Sequence, residues 1–262
     1  MSLILDSHPK VCSVDEDRFF APEIYRYLYS NLPEATPFIA FKLPQYAHML
    51  FFIEALPGRR VLWCIRDPLD VVWSMVKLRW PIGDIMVPWA AHPRGGWFEI
   101  TTTYWSLNEE QRGKLNEHMT KFARISEKLV TLARSPEKEK LTKIDRQDCV
   151  FIAALCWRIK NELPWRYRAS NIDFYVIRYE DLVTNPRDRI AEILDYISVD
   201  WSEEVLNHQH LHKGISIGNT SNTRAIDQKS LQNGKRNLSQ EEQELVKVIC
   251  GDTALKWNYI LN

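Results

Sequence analysis

Residues Val61–Ser74 read V-L-W-C-I-R-D-P-L-D-V-V-W-S, and this is the most informative segment of the chain. Its apolar first half is typical of a buried β-strand that ends at Ile65. Asp67-Pro68 breaks the strand, because proline has no N–H group to continue the ladder. Arg66 therefore lies at the carboxyl end of a strand, where open α/β sheets bind their ligands.

The second half of this segment predicts a helix. We expect Asp70 to cap the helix and Ser74 to lie inside it, near its start. The guanidinium of Arg66, the hydroxyl of Ser74 and the free N–H groups at the start of the helix would then surround one point, and such a point suits a phosphate. An arginine–aspartate surface pair is the alternative, because strand–loop–helix junctions are common.

Two further apolar runs, Pro37–Lys42 and Phe174–Ile177, join Arg60–Ile65 as predicted strands. Helical patterns separate them, and Pro186 and Ser239 mark the starts of two helices. The predicted helices cover Tyr46–Ala55, Val71–Leu78, Leu115–Ala133, Arg146–Tyr167, Pro186–Tyr196 and Gln240–Gly251. Strands that alternate with helices predict a three-layer α/β fold, in which helices flank a parallel sheet.

The segment from about residue 79 to residue 145 fits this alternation poorly. We interpret it as a Trp-rich helical insertion in one domain of residues 1–262, where it would act as a lid or an acceptor-binding segment. The alternative is a purely structural insertion whose tryptophans only pack, because aromatic side chains occur both in cores and in binding sites. The tryptophans of the insertion are Trp80, Trp89, Trp97 and Trp105.

The composition excludes several classes of protein. The 262 residues include 34 basic and 34 acidic side chains, so no global basic field favours a nucleic-acid partner. The five cysteines are scattered without metal-ligand spacing, which predicts no metal site and is simplest in a reducing compartment such as the cytoplasm. The longest apolar run, Met49–Leu56, is interrupted by Glu54 and is too short to span a bilayer.

The spacing R-D-P-x-D-x-x-x-S, which runs from Arg66 to Ser74, resembles a motif of the sulfotransferases. These enzymes use 3′-phosphoadenosine 5′-phosphosulfate (PAPS), and the motif binds the 3′-phosphate of this co-substrate. The resemblance implies that Arg66 and Ser74 hold that phosphate. It also implies the P-loop-NTPase-like fold of the family.

Two further segments resemble the same family. Val176–Pro186 reads V-I-R-Y-E-D-L-V-T-N-P, and its similarity to the family's Y-E-D-L-x-x-x-P segment implies that Tyr179 lies near the nucleotide. Lys42–Tyr46, K-L-P-Q-Y, resembles the K-x-P-x-Y stretch of the bacterial, heparan-type and tyrosyl-protein enzymes. There the lysine, here Lys42, reaches the oxygen that bridges phosphate and sulfate. The alternative for Val176–Pro186 is an ordinary helix start. The alternative for Lys42 is a solvated lysine at a strand end.

The N-terminal stretch Leu5–Arg18 contains L-D-S-H-P-K-V and D-E-D-R, and it resembles the tyrosyl-protein sulfotransferases. The resemblance implies that Glu16 is the base that takes the proton of the acceptor. Asp15 is the alternative base. Both acids could instead cap the helix expected to follow them.

A looser resemblance lies near the C-terminus. Gly218-Asn219 and Arg224 are similar to the G-N-x-x-R loop that closes over the nucleotide, and Lys235 and Arg236 follow in the same basic segment. The resemblance implies that these three basic residues contact the nucleotide. The spacing differs from that of the family, and Asn233-Gly234 replaces a tryptophan that often precedes the family's closing Leu-Ser.

The family's first element, a strand followed by a P-K/R-S-G-T-T loop for the 5′-phosphosulfate, has no match in the sequence. In the family this loop comes a few residues before the segment that Leu5–Val11 resembles. We therefore expect the N-terminal strand and its loop to be missing, and Met1 to be an internal methionine of a longer protein. A genuinely short protein that has lost catalysis is the alternative.

The resemblance as a whole implies transfer of a sulfuryl group from PAPS, without a metal, to a hydroxyl or amine. The acceptor would be a small molecule, a glycan or a protein. A non-catalytic nucleotide-binding or interaction protein on a decayed sulfotransferase fold is the alternative. A P-loop kinase relative is disfavoured, because the chain has no G-x-x-x-x-G-K-S/T motif.

Overall fold

The computed structural model describes residues 1–15, 38–49, 54, 58–135, 138–170, 172–211 and 224–261. The chain divides into two compact units. Unit 1 comprises Met1–Ala47, Gly58–Leu62 and Tyr175–Lys229, and unit 2 comprises His48–Pro57, Trp63–Phe174 and Ser230–Asn262. The single domain expected over residues 1–262 stays a prediction.

Helices and short strands alternate along the described part of the chain. The strands are β1 (Val11–Asp15), β2 (Phe38–Lys42), β3 (Val61–Ile65), β4 (Arg79–Ile82), β5 (Ile85–Pro88) and β6 (Phe174–Arg178). The α-helices are α1 (Ser2–Asp6), α2 (Pro68–Lys77), α3 (Gly96–Tyr104), α4 (Glu109–Gly113), α5 (Asn116–Arg134), α6 (Arg146–Ala169), α7 (Tyr179–Thr184), α8 (Pro186–Tyr196), α9 (His208–Leu211), α10 (Asn233–Asn237) and α11 (Gln240–Lys256). Short 3₁₀ turns cover Trp89–Ala91, Lys138–Lys143 and Glu203–Leu206.

Unit 1 contains a parallel pair of strands, β1 and β2. Their register places Val11 opposite Phe38 and Asp15 opposite Lys42. β2 confirms the predicted strand that ends at Lys42, whereas β1 is not among the predicted strands. This parallel pair of strands, in a chain that also contains many helices, confirms the predicted α/β class.

The core of unit 1 gathers apolar residues from β6 and α8. Ile177 on β6 and Ile190 and Ile193 on α8 are buried in one cluster. α8 begins at Pro186, which suits the first helical position because that residue needs no N–H partner. The predicted helix Pro186–Tyr196 is confirmed at both ends.

Strands β3 and β6 form a second two-stranded sheet. They confirm the predicted strands Arg60–Ile65 and Phe174–Ile177, with differences of one residue at one end of each. The last residue of β3, Ile65, is buried, as the sequence pattern predicts. The chain passes from one unit to the other within each of these two strands.

Unit 2 is organised around α6, a helix of 24 residues that is buried over most of its surface. The C-terminal helix α11 packs along it, and both confirm predicted helices. The indole Nε1 of Trp257, just after α11, donates a hydrogen bond to the carbonyl oxygen of Asn161 at 3.0 Å. The thiol of Cys250 donates to the carbonyl oxygen of Ala154 at 3.3 Å.

The Trp-rich segment contains the antiparallel hairpin β4–β5 and the helices α3 to α5. Trp89 packs edge-on against Trp80, with ring centroids 5.5 Å apart, and stacks on His92 at 5.4 Å. Trp105 is different, because it is 73% exposed. The segment therefore contains both packed and exposed tryptophans, and its role as a lid or acceptor-binding insertion stays a prediction.

Two expectations about helices need correction. The helix after β3 begins at Pro68 rather than Val71, because Asp67 caps it one residue earlier. The chain at Pro44–His48 forms turns where the predicted helix Tyr46–Ala55 should begin, and residues 50–53 and 55–57 lie outside the described residues. All five cysteines are free thiols. No helix among the described residues is both long and apolar enough to cross a membrane.

Candidate functional site

Arg66 directly follows β3 in unit 2, as the sequence predicts. Its carbonyl oxygen accepts a hydrogen bond from the indole Nε1 of Trp157 at 3.0 Å, which fixes the backbone at the strand end. Its guanidinium Nη2 donates to the carbonyl oxygen of Ser230 at 2.6 Å and to Asp70 Oδ2 at 3.3 Å. The Arg66 side chain is 23% exposed, so it is held in place and still reaches solvent.

The N–H groups at the helix start beside Arg66 are already hydrogen-bonded within the chain. Asp67 is the N-cap of α2, and its Oδ1 accepts hydrogen bonds from the N–H groups of Leu69 at 2.8 Å and Asp70 at 3.2 Å. Pro68 has no N–H group, and the N–H of Val71 donates to the Asp67 carbonyl oxygen at 3.0 Å. The expected free helix N–H groups are therefore occupied, and an anion at this point must be held by side chains.

Asp70 does not cap the helix, which corrects the prediction. It is only 2% exposed, and its Oδ1 accepts a hydrogen bond from the N–H of Gly234 at 2.7 Å. Its Oδ2 accepts from the N–H of Gln232 at 3.0 Å. The carboxylate thus joins the end of β3 to a distant segment, and we call Arg66, Asp70, Ser230, Gln232 and Gly234 the Arg66–Asp70 cluster.

Gly234 allows this close approach. A Cβ atom at this position would lie 2.2 Å from the carbonyl carbon and oxygen of Leu69 and 2.6 Å from the nitrogen of Asp70. Gln232 has φ of 58°, in the left-handed region, and this turn lets two N–H groups face one carboxylate. The sequence pattern marks Gly234 only as a departure from the family, and the structure gives it a packing role.

Replacing Gly234 with alanine is expected to destabilise the protein by about 1–3 kcal/mol, because backbone atoms of Leu69 and Asp70 cannot move aside cheaply. Gly251→Ala is the matched control, because Gly251 lies inside α11 with no atom within 4 Å of the new Cβ. That control should stabilise the protein by up to about 1 kcal/mol through helix propensity. Urea denaturation measures both changes, and equal effects of the two variants would contradict the packing role of Gly234.

The other residues predicted for unit 2 lie on exposed surfaces. Ser74 is the seventh residue of the ten in α2, so it does not lie near the helix start as predicted. Lys235 and Arg236 lie on α10, directly after Gly234. Arg236 Nη2 donates to the Leu231 carbonyl oxygen at 2.7 Å and supports the turn that leads into α10. Lys235 and Arg236 therefore follow Gly234, the last residue of the Arg66–Asp70 cluster, directly in the chain.

Two of the predicted catalytic residues belong to unit 1. Lys42 is the last residue of β2, half-buried and opposite Asp15 in the parallel register. This register places the end of β1, where the alternative base lies, beside the predicted leaving-group lysine. Glu16, the base implied by the resemblance, lies outside the described residues.

Tyr179 and Arg224 also belong to unit 1. Tyr179 is the first residue of α7, directly after β6. Arg224 forms a salt bridge with Asp227 through two nitrogens, one of them Nε at 2.7 Å. The hydrogen bonds from Arg224 lower the pKa of Asp227 to about 2, so this pair stays charged throughout the neutral range. The same hydrogen bonds to Asp227 raise the pKa of Arg224.

Sequence reasoning did not identify the partners that hold Arg66 in place. Ser230, Gln232 and Gly234 follow Asp70 by 160 residues or more, and local patterns do not connect such positions. The cap was identifiable, because proline at the first helical position indicates that the preceding Asp67 is the N-cap. Among the described residues, no group of three or more His, Cys, Asp or Glu side chains is placed to hold a metal ion.

Comparison with known proteins gives three findings. The family model for the sulfotransferase domain matches residues 55–252, a range that contains β3, Arg66, Ser74 and Tyr179. A solved structure, the sulfotransferase domain from the curacin biosynthetic pathway, is similar at 16% identity and a TM-score of 0.46, covering 92% of this chain and 68% of that chain. A search of curated proteins finds no match.

Proposed function

Because the chain belongs to the sulfotransferase domain family, we propose that it transfers a sulfuryl group from PAPS to a hydroxyl or amine of an acceptor. Membership of this family confirms the predicted α/β sulfotransferase fold class and supports a transferase activity. The donor, the acceptor and the roles of individual residues are the content of the proposal. A small molecule, a glycan or a protein side chain would supply the acceptor group.

The arrangement of Arg66 is the observation that carries the proposal. A guanidinium at the end of a strand is held by the buried Asp70 carboxylate and the Ser230 carbonyl oxygen. Such fixation reduces the side-chain entropy that would be lost when the arginine clamps a phosphate. Lys235 and Arg236 on α10 add positive charge in a chain whose formal net charge is zero. These features support Arg66 as part of the 3′-phosphate site, and in the proposal Ser74 of α2 completes that site.

The proposed reaction is an in-line displacement at sulfur. The acceptor oxygen or nitrogen forms a bond to sulfur while the bond from sulfur to the bridging oxygen of PAPS breaks. Adenosine 3′,5′-bisphosphate leaves, and the proton of the acceptor passes to Glu16, with Asp15 as the alternative base. Lys42 stabilises the negative charge that develops on the bridging oxygen, and Tyr179 and Arg224 contact the nucleotide. No metal takes part in the proposed reaction.

Binding of adenosine 3′,5′-bisphosphate is the first test, because it needs the nucleotide site but neither the acceptor nor the catalytic base. Calorimetry should show saturable binding that weakens strongly when adenosine 5′-monophosphate replaces the bisphosphate. Transfer is the second test, with ³⁵S-labelled PAPS and a panel of phenols, amines, sugars and tyrosine peptides. Failure to bind the bisphosphate would sink the proposal. Binding without transfer to any acceptor would instead support the non-catalytic alternative.

Replacing Arg66 with alanine is expected to weaken bisphosphate binding by about 1.5–3 kcal/mol, because one charge-assisted clamp is lost. Arg66→Lys should recover part of this loss, since a lysine keeps the charge without the planar fork. Arg134→Ala, at the exposed end of α5, is the matched control and should bind like the parent. Calorimetry measures all three variants, and unchanged affinity in Arg66→Ala would remove the assignment.

A further inference from the structure

His92 lies in the segment that joins the β4–β5 hairpin to α3 in unit 2, and it is only 3% exposed. The backbone N–H of Arg94 donates a hydrogen bond to its Nδ1 at 3.0 Å. Because this contact makes Nδ1 an acceptor, the proton of the neutral imidazole lies on Nε2. Nε2 therefore donates to the carbonyl oxygen of Pro81 on β4, at 3.2 Å. We call residues 92–95 the His92 turn.

The sequence His92-Pro93-Arg94 explains the form of this turn. A residue before proline is restricted to extended backbone, and His92 has φ of −70° and ψ of 138°. The pyrrolidine ring fixes φ of Pro93 near about −65°, as at the second position of a β-turn. The N–H of Arg94 then turns back toward the imidazole, in the way that an Asx turn directs an N–H to a side-chain oxygen.

The same arrangement occurs a second time in the chain, at His8-Pro9-Lys10 in unit 1. There the N–H of Lys10 donates to Nδ1 of His8 at 3.1 Å, and Nε2 donates to the carbonyl oxygen of Asp200 at 2.8 Å. His8 is also 3% exposed. In both turns a buried neutral imidazole connects two backbone segments, so the geometry at His92 is a property of the His-Pro-basic sequence.

The His92 turn lies tightly against Trp89. The imidazole of His92 stacks on the Trp89 indole, with an angle of 17° between the ring planes. A Cβ atom at Gly95 would lie 2.1 Å from the Trp89 carbonyl oxygen. Gly95 is also the N-cap of α3, and no side chain caps this helix end. The start of α3 therefore depends on backbone contacts of the turn, among them the contact of Arg94 with His92.

Protonation of His92 is incompatible with one of these contacts. An imidazolium has two N–H donors and no acceptor, so its Nδ1 cannot accept the N–H of Arg94. Burial lowers the pKa of His92, the Pro81 carbonyl oxygen raises it by a smaller amount, and the positive charge of Arg94 lowers it further. The stack on Trp89 tolerates a cation, because the face of an indole attracts positive charge. The Arg94 contact is therefore the one that protonation breaks.

The carboxylates of the helices packed around the turn have other partners. α2, α3 and α6 contact the 3₁₀ turn that His92 ends, and the acidic residues on these three helices all form ion pairs. The pairs are Asp70 with Arg66, Glu99 with Lys160, Asp148 with Lys128 and Glu162 with Lys256. The other charged side chains of α2 and the hairpin are Lys77, Arg79 and Asp84. The three helices thus provide no unpaired carboxylate to stabilise a charged His92.

We propose that the His92 turn is a pH-sensitive switch, in which uptake of a proton from solvent at Nδ1 releases Arg94 and the start of α3. The switch makes the order of the Trp-rich segment depend on pH. It shares no residue with the Arg66–Asp70 cluster, so it is independent of the proposed transfer reaction. A histidine whose pKa is lower in the folded state contributes fully to stability above its unfolded pKa of about 6.5, and this contribution decreases as the pH falls below that value.

Nuclear magnetic resonance of the histidine ring nitrogens and of the Arg94 amide tests the switch in the parent chain. At about pH 8, Nε2 of His92 should carry the proton and Nδ1 should be unprotonated. Lowering the pH to about 5 should protonate Nδ1 and shift the Arg94 amide resonance with the same midpoint, below about 6.5. Hydrogen exchange of this amide, corrected for the intrinsic effect of pH, should accelerate by about tenfold or more, as for the loss of one hydrogen bond.

Two variants assign the transition to His92. His92→Asn removes the titrating group and keeps an acceptor, because an asparagine oxygen can accept the N–H two residues later. Its Arg94 amide should show no transition. His118→Asn is the matched control and should retain the transition, since His118 also has a pKa lowered by burial but lies on α5. If His92→Asn does not fold, the titration of the parent chain decides. A proton on Nδ1 at neutral pH, different midpoints for ring and amide, or a transition that persists in His92→Asn would overturn the proposal.

Discussion

Replacing Glu162 with alanine is expected to destabilise the protein by about 2–4 kcal/mol, because the buried hydroxyl of Thr253 loses its acceptor and the charged hydrogen bond from Lys256 is lost. The carboxylate is 6% exposed and accepts hydrogen bonds from Gln111, Thr253 and Lys256. Its removal leaves the Thr253 hydroxyl without its acceptor, whereas Gln111 Nε2 keeps its hydrogen bond to the Glu162 backbone carbonyl oxygen and the Lys256 ammonium is partly exposed to water. Glu127→Ala, on the exposed face of α5, is the matched control and should change stability by less than about 0.5 kcal/mol.

The Glu162 contacts also predict how stability depends on pH. Burial raises the pKa of Glu162, but the hydrogen bonds from Thr253, Lys256 and Gln111 together lower it below its ordinary value. A carboxyl with a depressed pKa in the folded state adds stability above its unfolded pKa of about 4.3 and loses that contribution as the pH falls through the folded value. The stability difference between the parent and Glu162→Gln should therefore be largest near neutral pH and shrink below about pH 4. Urea denaturation across this range measures it, and a pH-independent difference would contradict the contribution of the charge.

The sequence predicts elements well where the signal is local. β2, β3 and β6 are apolar runs that end at polar or turn residues, and α8 and α11 begin at a proline and a capping box. β1 is harder to predict because V-C-S-V-D mixes polar and apolar residues and pairs with a strand that begins 23 residues after β1 ends. Its Ser13 N–H donates to Asp6 Oδ1 at 2.7 Å, a contact that no hydrophobic pattern indicates.

The candidate site shows the same division between local and distant information. Arg66 and its position at a strand end follow from a single segment, and the structure agrees with that interpretation. The contact of Asp70 with Gln232 and Gly234 joins residues more than 160 positions apart, and only the folded chain reveals it. The sequence also suggested free helix N–H groups, which Asp67 occupies in the structure.

This difference changes the chemistry of the proposed phosphate site. Without helix N–H donors, recognition of the 3′-phosphate depends on side chains, chiefly the guanidinium of Arg66. The position of that guanidinium depends in turn on Asp70, because one carboxylate holds both the arginine and the segment that leads to Lys235 and Arg236. Asp70 is thus a positioning residue, whose loss should affect both folding and nucleotide binding.

Replacing Asp70 with alanine is expected to destabilise the protein by about 3–5 kcal/mol and to weaken bisphosphate binding more than tenfold. Two backbone N–H groups, of Gln232 and Gly234, lose their acceptor, and Arg66 loses a carboxylate that is 2% exposed. Asp70→Asn should lose less stability and less binding affinity, because the amide oxygen can still accept a hydrogen bond from one of these N–H groups. Asp252→Ala, at an exposed position of α11, is the matched control for stability and binding.

Urea denaturation and calorimetry on the same Asp70 variants separate the two roles. If Asp70 acts only by positioning Arg66, the variant Arg66→Ala and the double variant Arg66→Ala/Asp70→Ala should bind the bisphosphate equally weakly. Once the guanidinium of Arg66 is absent, removal of the carboxylate that holds it has no further effect on binding. If the two losses add, Asp70 also contributes to binding independently of Arg66, through the segment that leads to Lys235 and Arg236, and a role confined to positioning Arg66 is wrong. Stability should behave differently: Asp70→Ala should remain destabilising in the absence of Arg66, since the N–H groups of Gln232 and Gly234 still lack an acceptor.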